Sequence, residues 1–239
     1  MKNFSIILGA IILVLFVTLV IWGVYCDNTI AITNYCVNNT KNDAKLKFVV
    51  ITDLHNKEYG EKNADLAELV KEQNPDFIAV CGDMVNRGDP DTTKMKDVLE
   101  KLSKIAPTYC CLGNHERDNA AKFGTDFKSE TNSTGAVLLD NEYIKFTKNG
   151  KSVLIGGVSD YPYYEFYTPD DDVPSRTLWE EFAEKAKNNF TILLHHQPEY
   201  IAEDAKKTDI DLIVCGHTHG GQILSLIHIS EPTRLRCIS

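Results

Sequence analysis

Positive charge is scarce in this chain. Its 239 residues include 25 lysines and arginines against 34 aspartates and glutamates, which gives a formal net charge of −9. Proteins that bind nucleic acid need a surplus of basic side chains to contact the phosphate backbone, so we expect no nucleic-acid partner. An acidic chain is compatible with a site that holds cations.

Cysteine pairs at metal-binding spacing are also absent. None of the seven cysteines belongs to a Cys-x-x-Cys motif, so the sequence contains no zinc knuckle of that type. Cys81, Cys111 and Cys215 lie within apolar runs. This favours buried thiols over a disulfide framework.

Charged residues are missing altogether from Phe4 to Tyr25, a run of 22 residues. A helix of that length spans about 33 Å, enough to cross the apolar core of a bilayer. A cleaved signal peptide is the alternative, but the run is longer than a typical signal-peptide core and no Ala-x-Ala site follows it. We therefore predict that residues 1–26 form a single-pass transmembrane anchor. Lys2 precedes the run, which favours an N-terminus inside the cell and the rest of the chain outside.

Two segments flank the central part of the chain. Residues 27–44 are polar and rich in asparagine and threonine, and we predict a linker there with an edge strand within Thr29–Val37. At the other end, the run from Leu224 to Arg234 resembles the translation of an adapter used in DNA sequencing libraries. We interpret residues 224–239 as a sequencing-adapter scar. On this interpretation the natural chain continues past residue 223, and the domain at residues 45–223 is truncated.

The central part alternates between strand and helix patterns. Apolar runs at Leu46–Thr52, Phe77–Cys81 and Thr108–Leu112 predict strands, with apolar residues at helical spacing between them. Such alternation implies right-handed strand–helix–strand units around a parallel sheet. The second half has three strand-like runs at hairpin spacing, a helix from about Ser175 and two further strands, which indicates more antiparallel pairing. We predict an α/β fold of the two-sheet α/β sandwich type.

Polar side chains follow five of the predicted strands. These side chains are Asp53 and His55, Asp83, Asn114 and His115, His195 and His196, and His217 and His219. A single polar strand end is an ordinary turn, but six of the seven histidines lie at these ends. The carboxyl ends of parallel strands meet at one edge of a sheet, where open α/β folds bind their ligands.

These side chains indicate a metal centre. Carboxylate, imidazole and amide donors without thiolate suit Mn²⁺, Fe or Zn²⁺ in sites with five or six ligands. The spacing of Asp53 and His55 places both side chains on one side of a strand, and His217 and His219 share that spacing. Two cations about 3.5–4 Å apart need a bridging anion. Asp83, at the end of a central strand, is the candidate for the bridge.

The motifs together resemble the calcineurin-like metallophosphoesterase superfamily, in particular its bacterial membrane-associated branch. The resemblance rests, in this order, on Asp53-x-His55, Gly82-Asp83, Gly113-Asn114-His115-Glu116, His196 and Gly216-His217-Thr218-His219. It implies a metallophosphoesterase-type sandwich over residues 45–223 and a site with two divalent metal ions. In that site Asp53, His55 and His219 would hold the first metal, Asp83 would bridge, and Asn114, His196 and His217 would hold the second.

The resemblance further implies hydrolysis of a phosphoester. Two cations would lower the pKa of a shared water so that hydroxide is available to attack the phosphoryl group, and His115 beside the metals would protonate the leaving group. We expect a phosphodiester or pyrophosphate substrate, lipid-linked or derived from the cell envelope, and a catalytic domain on the outer face of the cytoplasmic membrane. The alternatives are a non-catalytic binding protein on the same fold and an inactive truncated fragment.

Three points of the sequence stay open. His195 and His196 are adjacent, and the His-x-Pro pattern of the family fits His196, which places His195 on the opposite face of its strand. Arg87 either contacts the phosphate or is a solvated turn residue. The aromatic segment Tyr161–Tyr167 either caps the site or is an ordinary surface loop.

Overall fold

The computed structural model describes residues 2–37, 41, 45–158, 174–219 and 234–238. The helices in these ranges are α1 (Lys2–Asp27), α2 (Ala64–Glu72), α3 (Thr93–Ile105), α4 (Asn114–Phe123), α5 (Phe127–Asn132), α6 (Pro174–Ala186) and α7 (Pro198–Ala205). A short 3-10 helix at Glu61–Asn63 precedes α2.

The strands form two sheets. They are β1 (Ala31–Tyr35), β2 (Phe48–Ile51), β3 (Phe77–Cys81), β4 (Thr108–Cys111), β5 (Val137–Leu138), β6 (Glu142–Lys148), β7 (Lys151–Gly157), β8 (Phe190–Leu194), β9 (Leu212–Val214) and β10 (Arg234–Ile238). The first sheet has the order β1-β10-β2-β3-β4-β5, and the second has the order β6-β7-β8-β9. Strands β2 to β5 are parallel to one another, and so are β7 to β9.

The two sheets face each other across an apolar core. Along β2, Phe48 and Val50 belong to this core, whereas Val49 and Ile51 belong to the cluster under the helices of the outer face. That division follows from the alternation of side chains along a strand. A separate cluster around Phe182 of α6 covers the outer face of the second sheet. Helices therefore cover both outer faces, and polar loops lie at the ends of the strands.

The helix α1 consists almost entirely of apolar residues, and most of its described side chains are exposed. Its segment Ile6–Cys26 is long and apolar enough to cross a membrane. A signal sequence passes the same test of length and composition, so the anchor role stays a prediction. Only residues 28–30 separate α1 from β1.

The predicted α/β two-sheet sandwich is confirmed, as is the strand at Phe77–Cys81. The predicted edge strand within Thr29–Val37 is present as β1. The expectation of more antiparallel pairing in the second half holds only for β6 and β7. Helices α6 and α7 connect β7 to β8 and β8 to β9, and such crossovers make neighbouring strands parallel.

Part of the tail interpreted as an adapter scar pairs with the first sheet. Strand β10 lies between β1 and β2, parallel to the former and antiparallel to the latter. A free strand edge offers unpaired backbone groups to any extended segment, so this pairing does not depend on the origin of the tail. The origin of residues 224–239 and the domain boundaries stay predictions. Residues 220–233, the aromatic segment Tyr161–Tyr167 and most of residues 38–44 lie outside the described residues.

Candidate metal centre

The predicted ligands follow the carboxyl ends of strands from both sheets. Beyond β2, the backbone N–H of Asp53 donates to the carbonyl of Gly82 (3.1 Å), and that of His55 donates to the carbonyl of Asp83 (3.0 Å). Beyond β9, the N–H of Gly216 donates to the carbonyl of His196 (3.0 Å). These bonds hold neighbouring loops side by side where the strands end.

Several ligand candidates have a left-handed backbone conformation. The φ angle is 57° at Asp53, 47° at His55, 53° at Asp83, 68° at His217 and 46° at His219. Few residues other than glycine adopt such angles, although aspartate and histidine tolerate them better than most. A residue stays in this conformation only where the surrounding structure holds it, and such residues cluster at functional sites. Here these residues lie in the sharp turns that follow the strands.

Three groups of aspartate and histidine side chains among the described residues could hold a metal ion. In the first group, Asp53, His55 and His219 bring their ligand atoms within 4.8 Å of one another. The Nε2 atoms of the two histidines lie 3.0 Å apart. Oδ1 of Asp53 lies 3.5 Å from Nε2 of His219 and 4.0 Å from Nε2 of His55.

The second group consists of Asp83, His196 and His217. Nδ1 of His196 lies 2.7 Å from the carbonyl oxygen of Cys81. A carbonyl can only accept a hydrogen bond, so Nδ1 carries a proton and Nε2 faces Oδ2 of Asp83 at 3.1 Å. A proton or a cation is required between a ring nitrogen and a carboxylate this close. A backbone carbonyl that orients the ring is typical of metal-binding histidines.

The third group consists of His55, Asp83 and His115, so Asp83 belongs to two groups. Its Oδ2 lies 3.7 Å from Nε2 of His55 and 3.9 Å from Nε2 of His115. Its Oδ1 accepts a hydrogen bond from the backbone N–H of His115 at 2.8 Å. Asp83 is thus the carboxylate that the second and third groups share.

Asn114 is the first residue of α4, immediately after β4 and Gly113. Its Oδ1 is buried and has no hydrogen-bond partner in the described structure. A buried amide oxygen without a partner is costly, and a bound cation would satisfy it. Asn114 therefore fits a ligand role.

The spacing of the donor atoms fits bound cations. Donors bound at about 2.1 Å with angles of 90–109° between them lie about 3.0–3.4 Å apart. The closest pairs, His55 with His219 at 3.0 Å and His196 with Asp83 at 3.1 Å, have this spacing. Carboxylate, imidazole and amide donors without thiolate are also the set that binds Mn²⁺, Fe or Zn²⁺. The residues present therefore fit the expected metal ions.

Asp83, His55 and His115 have pKa values below their usual ranges. Burial by itself raises the pKa of Asp83, but the hydrogen bond and charge of His196 hold it below its usual range. Burial lowers the pKa of His55 and of His115, and Arg87 adds to the effect on His115 while Asp83 opposes it. Ionised carboxylates and neutral imidazoles are the forms that metal ligands need.

His115 lies at the accessible side of the site, with 18% of its side chain exposed. Nη2 of Arg87 lies 3.0 Å from Nε2 of His115, and Nη1 of Arg87 forms an ion pair with Asp118 at 3.3 Å. The arginine is exposed, but it lies against the imidazole rather than in solvent alone. A partly exposed imidazole and an exposed guanidinium beside the metal-binding groups are available to a ligand that enters the site.

His195 lies apart from this cluster. Its ring is almost fully buried, and its Nδ1 lies 3.3 Å from the carbonyl oxygen of Val158. Burial lowers the pKa of His195 to about 4, so the ring is neutral near pH 7. Among the described residues it belongs to none of the three groups, whereas its neighbour His196 belongs to the second.

Two residues of the site were given no role by sequence reasoning. The Glu116 carboxylate accepts hydrogen bonds from four backbone N–H groups around Asp83. Burial and the charge of Asp83 raise the pKa of Glu116, and the N–H groups oppose that shift. Oε1 of Glu199 lies 3.2 Å from Nε2 of His217. Glutamate three residues after a helix N-cap is a local signal for Glu116, whereas nothing in the sequence near Glu199 indicates its partner.

Comparison with known proteins identifies the family. The profile of the calcineurin-like phosphoesterase family matches residues 46–221, which include every residue of the three groups. The chain belongs to this family.

Two bacterial relatives share about the same similarity with the chain. An uncharacterized metallophosphoesterase of Bacillus subtilis, YkoQ, is 28% identical over 194 residues, which cover 80% of this chain and 66% of that protein. The phosphodiesterase YaeI of Escherichia coli is also 28% identical over 194 residues, with the same coverage. The chain thus spans slightly less than two thirds of the length of these curated relatives.

The fold has a counterpart among solved structures. The crystal structure of TT1561 from Thermus thermophilus superposes with a TM-score of 0.51 and 13% sequence identity, over 71% of this chain and 80% of that one. At this identity the similarity concerns the fold alone.

Proposed function

We propose that this chain is a membrane-anchored, dinuclear-metal phosphoesterase that hydrolyses a phosphodiester or a pyrophosphate. The proposed ligands are Asp53, His55 and His219 for the first cation, Asn114, His196 and His217 for the second, and Asp83 as the bridge. The metal ions are Mn²⁺, Fe or Zn²⁺.

The position of one carboxylate oxygen carries the proposal. Oδ2 of Asp83 lies 3.1 Å from Nε2 of His196 and 3.7 Å from Nε2 of His55. In the proposal these histidines hold different cations, so the same oxygen adjoins a ligand of each. A bridging carboxylate between two cations requires this relationship.

The side chains divide the chemistry between binding and proton transfer. When bound, two divalent cations supply a water of lowered pKa and positive charge that neutralises the phosphoryl oxygens. Arg87 directs its guanidinium at the same oxygens, since guanidinium groups form paired hydrogen bonds with phosphate. His115, beside Asp83 and partly exposed, donates a proton to the leaving oxygen as a general acid when its ring is protonated, a state that the Asp83 carboxylate favours and that burial and Arg87 disfavour.

The substrate class rests on two observations. The relative in Escherichia coli is a phosphodiesterase, which supports a diester. In addition, only residues 28–30 separate the apolar helix α1 from β1, so an anchored chain holds its domain close to the bilayer. This favours a lipid-linked or envelope-derived phosphoester. Lys2 before the apolar run favours a domain on the outer face of the cytoplasmic membrane.

The proposal is tested with the full chain purified in detergent, stripped of metal with a chelator and reloaded with Mn²⁺. Turnover of bis(p-nitrophenyl) phosphate and of p-nitrophenyl phosphate is measured side by side. We expect metal-dependent hydrolysis of the diester and little hydrolysis in an Asp83→Ala variant. Asp126→Ala is the matched control, because this carboxylate caps α5 and belongs to none of the three groups. Turnover that survives chelation, or turnover of the monoester alone, would contradict the proposal.

A further inference from the structure

Glu116 is a buried carboxylate with an unusual set of partners. The residue is 3% exposed and lies in the first turn of α4. Its Oε2 accepts from the backbone N–H groups of Asp83 (2.8 Å) and Gly113 (2.9 Å). Its Oε1 accepts from those of Met84 (2.7 Å) and Val85 (3.1 Å). One side chain thus accepts from three consecutive N–H groups of the turn after β3 and from one N–H group after β4.

The turn in question is the one that carries Asp83 out of β3. Gly82 and Asp83 both have a left-handed backbone, with φ of 75° and 53°. This conformation directs the following N–H groups to one side, where a concave site for an anion forms. The Glu116 carboxylate occupies that site. It accepts hydrogen bonds from the N–H groups of the turn, as a bound anion would.

The contact between Asp83 and α4 is reciprocal. The backbone N–H of Asp83 donates to the side chain of Glu116, while the side chain of Asp83 accepts from the backbone N–H of His115 at 2.8 Å. The fit is tight, because a Cβ at Gly113 would lie 2.3 Å from Oδ1 of Asp83. Backbone and side chain of Asp83 are therefore both fixed relative to α4.

We propose that Glu116 is a positioning residue whose carboxylate holds the turn at Asp83 against α4, so that the Asp83 side chain lies between the two metal positions. This inference rests on the bridging role of Asp83 in the proposed function. Glu116 belongs to none of the three groups of potential metal ligands, and its oxygens accept from backbone N–H groups.

The chemistry of the partners explains why a carboxylate is needed. Each of its two oxygens accepts two N–H groups. In glutamine one oxygen is replaced by an NH₂ group, which cannot accept, so one pair of N–H groups would face another donor. Aspartate keeps the charge but is shorter by one methylene group, so it cannot reach all four N–H groups from α4.

The experiment compares full-length Glu116→Gln and Glu116→Asp with the wild type. Mn²⁺ binding is measured by calorimetry, and the Mn²⁺ EPR spectrum reports whether the two ions are coupled through a bridge. The control is Asp211→Asn, because Asp211 also accepts backbone and side-chain hydrogen bonds, from Thr191 (2.9 and 3.0 Å), but at the amino-terminal end of β8. Folding of each variant is checked by circular dichroism.

We expect Glu116→Gln to bind Mn²⁺ about 10- to 100-fold more weakly, as for other residues that orient metal ligands, and to lose the coupled EPR signal. Glu116→Asp should be intermediate, and Asp211→Asn should bind Mn²⁺ as the wild type does. A folded Glu116→Gln chain with wild-type affinity and a coupled signal would overturn the inference. If that variant does not fold, wild-type binding by Glu116→Asp has the same consequence.

The same data separate this inference from the hydrolase proposal. A wild-type chain that binds two coupled ions but hydrolyses no phosphoester would contradict the proposed hydrolase function. The positioning role of Glu116 would then be tested by the binding data alone. A wild-type chain with turnover and a Glu116→Gln variant with unchanged binding would contradict the positioning role alone.

Discussion

Nε2 of His196 lies 3.1 Å from Oδ2 of Asp83, and the two residues follow strands of different sheets. Asp83 follows β3 of the first sheet, and His196 follows β8 of the second. The site therefore forms only where the two sheets pack against each other. A cation bound by both residues would connect the sheets, so metal binding and the stability of the sandwich are coupled.

Removal of metal should accordingly destabilise the protein. A ligand that binds only the folded state adds about 2.7 kcal/mol to the free energy of unfolding when its concentration is 100 times its Kd. We expect the metal-free chain to unfold at lower denaturant concentration than the chain in excess Mn²⁺, as measured by tryptophan fluorescence. The Asp83→Ala variant should show little difference between the two conditions. An equal effect of Mn²⁺ on both chains would place the stabilising ion elsewhere.

Loss of the bridge should affect both cations at once. In Asp83→Ala we expect the bound Mn²⁺ to fall from two ions per chain towards none, because the carboxylate serves both positions. The measurement is metal content after dialysis against buffered Mn²⁺, with Asp126→Ala as the control. Two ions retained in the Asp83 variant would show that the carboxylate does not bridge.

His115 should be needed for turnover but not for metal binding. We expect His115→Ala to bind two Mn²⁺ ions and to hydrolyse the diester about 10²- to 10⁴-fold more slowly, the usual contribution of a general acid. His115 also belongs to the group with His55 and Asp83, so metal content decides between the two roles. A variant that loses one ion would make His115 a ligand.

Gly216 should tolerate no side chain. A Cβ there would lie 1.9 Å from Oγ1 of Thr52 and 2.9 Å from Oδ2 of Asp53. We expect Gly216→Ala to displace Asp53 and to weaken binding of the first metal at least tenfold, measured by calorimetry. Gly88→Ala is the control, because nothing lies within 4 Å of a Cβ at that position. Equal affinities in the two variants would contradict the expected displacement.

The orientation in the membrane can be read from Cys36. This cysteine follows β1 and is exposed, whereas Cys81, Cys110 and Cys111 are buried. If the domain lies on the outer face, a membrane-impermeant maleimide should label Cys36 in intact cells. The signal should fall in a Cys36→Ala variant, which accounts for labelling at other cysteines. Labelling of Cys36 that requires lysis would place the domain inside the cell.

Local patterns in the sequence were sufficient for the fold class, and together with the family resemblance they predicted the candidate ligands. Apolar runs such as Phe77–Cys81 predict strands because a strand covered on both faces of its sheet needs an apolar side chain at every position. The polar residues directly after each run, such as Asp83, are recognisable because metal chemistry restricts the residue types. Helix α4 was not predicted, since its sequence from Asn114 to Phe123 has no continuous apolar stripe.

The tertiary structure alone decided how these residues act together. The proton on Nδ1 of His196 is fixed by the carbonyl of Cys81, 115 residues away in the chain. The partners of Glu116 lie on a turn more than 30 residues before it, apart from Gly113. Such contacts depend on how two sheets pack and how loops meet at their edge. Side-chain periodicity is a local property and carries no information about those distances.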